Sequence, residues 1–211
     1  MTDKQTGNSF KTLKTRGLVE LIEKKSRFIG VAEPVTTEED AASVLNRIRK
    51  EHNNANHNVY AYIIGNNGSH IRYSDDGEPS GSAAAPILNV LKGQGITNAI
   101  VIVTRYFGGT LLGTGGLVRA YGQTAKEAVT AAEVITCVLY DIYDVRITYP
   151  LLSRFQYELD KKGYSILNTS YTTDITLTVQ CQSTLVDEFQ RLAADLSSGS
   201  ANVVLLEQCF R

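Results

Sequence analysis

The spacing of apolar and polar residues divides the chain into short segments that predict strands and helices in alternation. Residues 18–22 and 26–32 are apolar segments typical of strands, and a charged run separates them. A helix should begin next, because Thr36 and Glu39 have the spacing of a capping box. The apolar positions 41, 44, 45 and 48 follow on one face of that helix. We expect it to extend to about His52.

The middle of the chain predicts a hairpin, a helix and a central strand. Residues 59–64 and 70–73 are strand-like, and they flank a Gly-Asn-Asn-Gly sequence that tolerates the positive φ of a tight reversal. An acidic loop, residues 74–81, leads to a helix over about 83–92, which Gly93 should end. Residues 98–105 are apolar on both faces, which is typical of a strand in the middle of a sheet.

A glycine-dense connection, residues 108–116, then leads into a long helix; we call this connection the glycine loop. The face of this helix that should pack inward is formed by Leu117, Val118, Tyr121, Ala125, Ala128, Val129 and Ala132.

From Tyr140 the pattern starts again, in the order strand, helix, strand, strand, helix, strand. This order over about 70 residues is that of the ferredoxin-like split motif. We therefore predict an α+β protein with two domains. Residues 1–138 form an α/β sandwich and residues 139–211 a ferredoxin-like domain. In the second domain we expect strands at 144–149, 164–171, 175–181 and 202–208, and helices at 151–162 and 185–196.

Composition restricts the classes of function. Lys and Arg total 21 against 22 Asp and Glu, so the domain-wide basic excess of a dedicated duplex-DNA binder is missing. Residues 1–138 hold 15 basic and 13 acidic side chains, and the remainder hold 6 and 9, so positive charge is concentrated in the first part. No apolar run approaches the roughly 20 residues that cross a bilayer, and the first ten residues do not have the pattern of a secretory signal. We expect a cytoplasmic protein that does not bind membranes.

The residue types for covalent or metal chemistry are scattered. Cys137, Cys181 and Cys209 are far apart in sequence and include no C-x-x-C pair, so we expect reduced, buried thiols rather than disulfides or a zinc site. No nucleophile elbow occurs, and none of the cysteines lies beside a histidine in sequence. We therefore expect a binding protein with no catalytic residues, no metal and no cofactor, whose oligomeric state the sequence does not define.

The glycine loop is the first candidate site, because it joins a central strand to a helix. Backbone N–H groups and the helix dipole favour an anion at such a junction, and glycine lets the backbone approach a phosphate closely. The sequence matches neither a Walker loop nor the dinucleotide fingerprint. Tight turns and close packing are the alternative role for these glycines. The candidate residues are Arg105, Gly108, Gly109, Gly113, Gly115, Gly116 and Arg119.

The acidic loop is the second candidate. Asp75, Asp76 and Glu78 place three carboxylates within four residues, which suits a hard cation. A solvated turn shaped by Gly77 and Pro79 is the favoured alternative. His57 precedes the acidic loop and is a candidate general base or ligand, and His70 is comparable. Neither histidine has a partner at the spacing of a metal motif, so structural roles are the alternative.

Basic and aromatic side chains are interleaved at two places. Lys24, Lys25 and Arg27 precede Phe28, and Arg105 precedes Tyr106 and Phe107. Such mixtures suit single-stranded RNA, because bases stack on aromatic rings and phosphates pair with cations. The alternative is that these residues are ordinary strand ends with snorkelling Lys and Arg side chains.

Several of these segments together resemble the IMPACT/YigZ family. They are KSRFI at residues 25–29, ANHNVYAY at 55–62, SDDGEPSGSA at 74–83, VTRYFGG at 103–109 and LGTGGLVRAY at 112–121. The resemblance implies that the first domain has the fold of domain four of elongation factor G. It also implies that the second is similar to the ferredoxin-like domain five of that factor.

The resemblance also implies a function. Eukaryotic relatives regulate translation by binding a partner of a stress kinase, and the related folds belong to the translation machinery. We therefore expect RNA or ribosome association with a role in the regulation of translation. Binding of a protein partner is one alternative. The other is a phosphate- or nucleotide-dependent enzyme that uses the glycine loop, because small-molecule kinases also resemble the first domain.

Overall fold

A computed structural model describes residues 7–211. The expectation about a secretory signal concerns residues 1–10, and the first six of these lie outside the described residues. The chain divides into two compact units, one ending at Thr136 and the other comprising Cys137–Arg211. None of the helices in residues 7–211 is long and apolar enough to cross a membrane.

The first unit contains a five-stranded sheet with the order β2-β3-β6-β4-β5, in which every neighbouring pair is antiparallel. A short additional strand, β1 (Ser9–Leu13), precedes it. The strand expected to be central is confirmed, because β6 lies in the middle of the sheet with most of its residues buried. The five strands are β2 (Gly17–Glu23), β3 (Ser26–Pro34), β4 (His57–Ile64), β5 (His70–Ser74) and β6 (Ala99–Tyr106).

Three helices cover the two faces of this sheet: α1 (Glu38–Glu51), α2 (Ala84–Gln94) and α3 (Thr114–Ala131). Helices α2 and α3 pack on one face over a core that includes Phe28, Val101 and Tyr121. Helix α1 packs on the other face over a smaller core that includes Ile48 and Ile102. The apolar stripes read from the sequence therefore face the sheet.

Three local predictions in this unit are wrong by small shifts. The capping box of α1 is formed by Thr37 and Asp40, one residue later than expected, because the hydroxyl of Thr37 accepts the N–H of Asp40. Helix α2 continues through Gly93 and ends at Gly95, whose φ of 67° provides the left-handed cap. Val118 is 40% exposed, so it lies outside the buried face of α3.

The second unit has the ferredoxin-like order that the sequence predicts. Its sheet runs β8-β9-β7-β10 with antiparallel neighbours, so β9 lies between β8 and β7. Two helices and the strands share a core that includes Phe155, Leu177 and Phe189. Its elements are β7 (Val134–Ile147), α4 (Leu152–Lys161), β8 (Ser165–Tyr171), β9 (Ile175–Gln182), α5 (Val186–Ser197) and β10 (Asn202–Phe210).

Candidate functional site

The turn between β2 and β3 lies directly against the glycine loop. Lys24 and Lys25 form this turn with φ values of 45° and 68°. A Cβ atom on Gly108 would lie 2.0 Å from the carbonyl carbon of Lys25, so only glycine fits this approach. The hydroxyl of Ser26 also accepts the N–H of Gly108 at 3.2 Å. Two segments that are about 80 residues apart in sequence thus form one surface.

Three cations of this surface are exposed and form no ion pair with any described residue: Lys24, Lys25 and Arg119. Lys24 and Arg119 line a small cavity of about 120 Å³ together with Gly116, at the start of α3. We call the three cations Lys24, Lys25 and Arg119 the basic rim. Arg27 differs, because its guanidinium is paired with Glu20 at 2.8 Å and lies over the ring of Tyr106.

Arg105 is not a surface cation. Its side chain is 6% exposed, and Nη1 donates to Glu78 Oε1 at 2.6 Å, while the Glu78 side chain is only 3% exposed. The guanidinium lies between two aromatic rings, 5.4 Å from the centre of Phe28 and 5.5 Å from that of Phe107. Its charge is therefore neutralised inside the protein, which corrects the expectation that Arg105 adds charge to an anion site at the glycine loop.

Tyr121 completes the buried cluster. Its hydroxyl donates to the same oxygen, Glu78 Oε1, at 2.7 Å, and its ring packs edge-on against Phe28. Burial, together with the hydrogen bond to Glu78, raises the pKa of Tyr121 far above its usual value. The phenol is therefore a fixed donor. Helical periodicity predicts that Tyr121 is buried, but its hydrogen bond to Glu78 is not predictable from spacing.

His57 adjoins this cluster with a defined tautomer. Its Nδ1 lies 2.8 Å from the backbone oxygen of Asp76, and a carbonyl oxygen can only accept, so Nδ1 carries the hydrogen. In the neutral ring, Nε2 is then an acceptor. Nε2 lies 3.9 Å from Glu78 Oε1, which is too far for a hydrogen bond. The structure thus brings His57 and Glu78 together, as two acceptors side by side.

The two aspartates of the acidic loop have structural roles. Asp75 accepts backbone N–H groups of Gly81, Ala83 and Ala84, and so caps the start of α2. Asp76 accepts the N–H of Asn58 at 2.7 Å and pairs with Arg49 at 3.2 Å. Within residues 7–211, no group of three or more acidic, histidine or cysteine side chains is arranged to hold a metal. The three carboxylates of the loop are therefore directed to separate partners.

The glycines of the glycine loop differ in what they require. Gly109 and Gly113 have φ values of 80° and 73°, which favour glycine. A Cβ on Gly116 would lie 2.9 Å from Leu112 Cβ. Gly115 has neither a positive φ nor any atom within 4 Å of its built Cβ. Close packing therefore explains Gly108 and Gly116, and backbone conformation explains Gly109 and Gly113, whereas neither explains Gly115.

A cleft of about 480 Å³ opens between the two candidate loops. Its polar part contains His57, Glu78 and Arg105. Its apolar walls include Phe107 and Leu111, which are 45% and 83% exposed. The start of α3 forms one end. The complete lining is Asn56, His57, Glu78, Pro79, Arg105, Phe107, Leu111, Leu112, Gly113, Thr114 and Leu117.

Six lining residues were not among the candidates from the sequence: Asn56, Pro79, Leu111, Leu112, Thr114 and Leu117. Asn56 Oδ1 accepts the N–H of Phe107 at 2.8 Å and so fixes the start of the glycine loop. The available signal in the sequence is that Leu111 is an apolar residue within a glycine-dense loop, and the structure shows that it is exposed.

None of the three cysteines is among the residues that line this cleft. All three are free thiols, with Cys181 buried and Cys137 and Cys209 partly buried. Burial, followed by the charge of Asp141, raises the pKa of Cys181 to about 11, so its thiol is protonated at neutral pH.

Comparisons with known proteins relate both units to one family. The Impact N-terminal domain model matches residues 24–129, and a domain of unknown function (DUF1949) matches residues 145–200. A crystal structure of a hypothetical protein superposes with a TM-score of 0.61 at 33% identity. It covers 95% of this chain and 98% of that one.

Two bacterial relatives match over nearly their whole length. IMPACT family member YvyE of Bacillus subtilis is 34% identical over 196 residues, covering 93% of this chain and 90% of the relative. IMPACT family member YigZ of Escherichia coli is 34% identical over 187 residues, covering 88% and 92%. The two domain models, the segments that carry the resemblance and these relatives all indicate the same family. The chain belongs to the IMPACT family.

Proposed function

We propose that this protein binds single-stranded RNA, free or in ribosomal particles, and regulates translation through that binding. The observation that carries the proposal is the basic rim beside the cleft. Three exposed cations have no acidic partner among the described residues. The backbone of Lys25 packs against Gly108, which directly follows the exposed ring of Phe107. Cations that are not neutralised internally are the ones that can release counterions from a phosphate backbone.

The separation of cations into paired and unpaired groups supports this proposal. Arg27 and Arg105 each have a carboxylate partner, so their charges are already compensated. Lys24, Lys25 and Arg119 do not, although the whole chain is nearly neutral. Binding should therefore be local, modest in affinity and sensitive to salt.

The aromatic surface supplies the second element of single-strand binding. Phe107 is 45% exposed and lies at the edge of the cleft, where an unpaired base can stack on its ring. The cation of Arg105 lies 5.5 Å from the same ring centre, so the ring is held from inside. A duplex cannot present a base face to this ring, which favours single strands or loops.

Family membership supports the proposed regulatory role. Eukaryotic IMPACT proteins regulate translation, as the resemblance implies, and a protein that binds RNA near the ribosome can do so without catalysis. A protein-partner regulator remains the alternative. It predicts no direct affinity for RNA.

The experiment is the salt dependence of RNA binding. Affinity for a fluorescent single-stranded RNA is measured at several salt concentrations for wild type and for the Lys24→Gln/Lys25→Gln double variant. Because each contact to single-stranded nucleic acid contributes about 0.7 to the slope of log affinity against log salt, the slope should fall by roughly 1 to 1.5.

The matched control is Lys92→Gln/Lys126→Gln, which removes two exposed lysines from the same unit. Lys126 lies 12 residues along α3 from its start, or about 18 Å. The slope of log affinity against log salt for this control variant should equal that of wild type. An unchanged slope in the Lys24/Lys25 variant, or an equal fall in both variants, contradicts the proposal.

A further inference from the structure

The polar part of the cleft offers hydrogen-bond acceptors rather than free cations. His57 Nε2 is an acceptor in the neutral ring, because Nδ1 donates to the backbone of Asp76. Glu78 uses one oxygen, Oε1, for both Arg105 and Tyr121. Its other oxygen, Oε2, accepts no hydrogen bond from the described residues, and Glu78 lines the cleft.

The two opposite charges in the polar part of the cleft compensate each other. The carboxylate of Glu78 is compensated by the guanidinium of Arg105 at 2.6 Å. The polar part of the cleft is therefore compatible with an anionic ligand, although it does not itself attract one. A ligand that forms a hydrogen bond with His57 Nε2 must bring a donor, and an uncharged hydroxyl group meets this requirement without adding charge to the cleft.

The surroundings restrict the ligand further. Phe107 and Leu111 form an exposed apolar wall suited to a flat ring. Lys24 and Arg119 of the basic rim line a neighbouring cavity that shares Leu112 with the cleft, so cations that can neutralise a phosphate lie next to it. A ligand with a flat ring, hydroxyl donors and a phosphate is a ribonucleotide. A volume of about 480 Å³ is also within the range of small-molecule pockets, about 300 to 1,000 Å³.

We propose that the cleft takes one ribonucleotide unit and recognises its 2′-hydroxyl, which donates its single hydrogen to His57 Nε2. The inference rests on the proposed RNA binding, since it names the part of RNA that the cleft contacts. It adds a property that basic charge alone cannot give, namely discrimination of RNA from DNA, because the 2′-hydroxyl is the group that DNA lacks.

His57→Asn is the variant that isolates this contact. The amide NH₂ of asparagine can replace the Nδ1–H donor to the Asp76 carbonyl, whereas the acceptor at the Nε2 position is lost. The matched control is His70→Asn, since His70 lies on β5 with its side chain 64% exposed and does not line the cleft. Thermal unfolding of both variants shows whether the fold is kept.

The test compares three uridine octamers that differ at the 2′ position: ribose, deoxyribose and 2′-O-methyl ribose. The 2′-O-methyl octamer keeps an RNA-like sugar conformation but cannot donate a hydrogen bond. Wild type and His70→Asn should bind the ribose octamer about two- to tenfold more tightly than the other two, the range expected for one neutral hydrogen bond. In His57→Asn this preference should disappear while affinity for the deoxyribose octamer is kept.

Equal binding of the three octamers by wild type overturns the proposal, as does a preference that survives in His57→Asn. An equal loss of affinity for all three octamers in that variant also overturns it. Uridine and deoxyuridine monophosphates distinguish the source of the ligand. If octamers do not bind but the ribonucleotide is preferred in a His57-dependent way, the RNA function fails and the cleft site stands for a free nucleotide. If neither octamers nor mononucleotides bind, both proposals fail.

Discussion

Arg105 donates from Nη1 to Glu78 Oε1 at 2.6 Å in a pair that is almost completely buried, with side chains 6% and 3% exposed. Arg105 comes from the end of the central strand and Glu78 from the acidic loop, so the pair joins two parts of the cleft. The Nε atom of Arg105 is buried and has no hydrogen-bond partner among the described residues. Removal of either side chain of this pair should therefore lower the free energy of unfolding.

We expect Arg105→Met to lower the free energy of unfolding by about 3–5 kcal/mol, because it leaves the carboxylate of Glu78 buried without its cation. The double variant Arg105→Met/Glu78→Leu should lose much less than the sum of the single losses. Urea unfolding of the single and double variants measures this coupling. Losses that simply add would show that the two side chains act independently.

The glycine loop allows a second contrast within one segment. Gly108→Ala should lower the free energy of unfolding by about 1–3 kcal/mol, because the new Cβ would overlap the backbone of Lys25. Gly115→Ala should instead raise it by up to about 1 kcal/mol, since this position in α3 is exposed and open and alanine favours helix. Thermal unfolding of both variants tests the pair. A loss at Gly115 equal to that at Gly108 would contradict the assignment.

The fold was largely predictable because its cores follow simple periodicities. The stripe at Ala41, Val44, Leu45 and Ile48 is buried as expected, and the hairpin around residues 65–68 forms. The capping box was misplaced by one residue because Thr36 and Thr37 are both good caps and an acid follows each at the right spacing. Local pattern alone does not choose between them.

The candidate site was less predictable, because its side chains are brought together by contacts between residues that are far apart in sequence. Arg105 and Glu78 are 27 residues apart in sequence, and Tyr121 is 43 residues from Glu78. The sequence shows that these side chains can carry charge or donate, but not that they are directed at one another. That pairing depends on the order of strands in the sheet. It decides which cations are internal and which remain at the surface.

Stability at acid pH should depend on the capping box of α1. Hydrogen bonds from Thr37 and Thr36 lower the pKa of Asp40 below its usual value. A carboxyl with a lowered pKa in the folded state contributes stability above its usual pKa, and the contribution is lost as pH falls through the lowered value. We therefore expect Asp40→Asn to be less stable than wild type at pH 7, with the difference shrinking at lower pH.

The measurement is chemical unfolding at several pH values from neutral to acid. Glu39→Gln is the control, because Glu39 lies in the same first turn but accepts no hydrogen bond from the described residues. Its effect should be smaller and lack the same loss with pH. A constant difference between Asp40→Asn and wild type across the whole range would contradict the role of the charge.

Residues 1–138 should fold without the rest of the chain. The two cores of the first unit use residues between Leu13 and Ala132, so a fragment ending at 138 keeps both. It also keeps the hydrogen bonds that Lys14 and Thr15 donate to the backbone of Glu133 and Ala132. A unit with its own core is expected to unfold cooperatively. We expect a single sigmoidal urea transition that fluorescence and circular dichroism report at the same midpoint. A gradual loss of signal, or different midpoints for the two probes, would show that the first unit depends on residues 139–211.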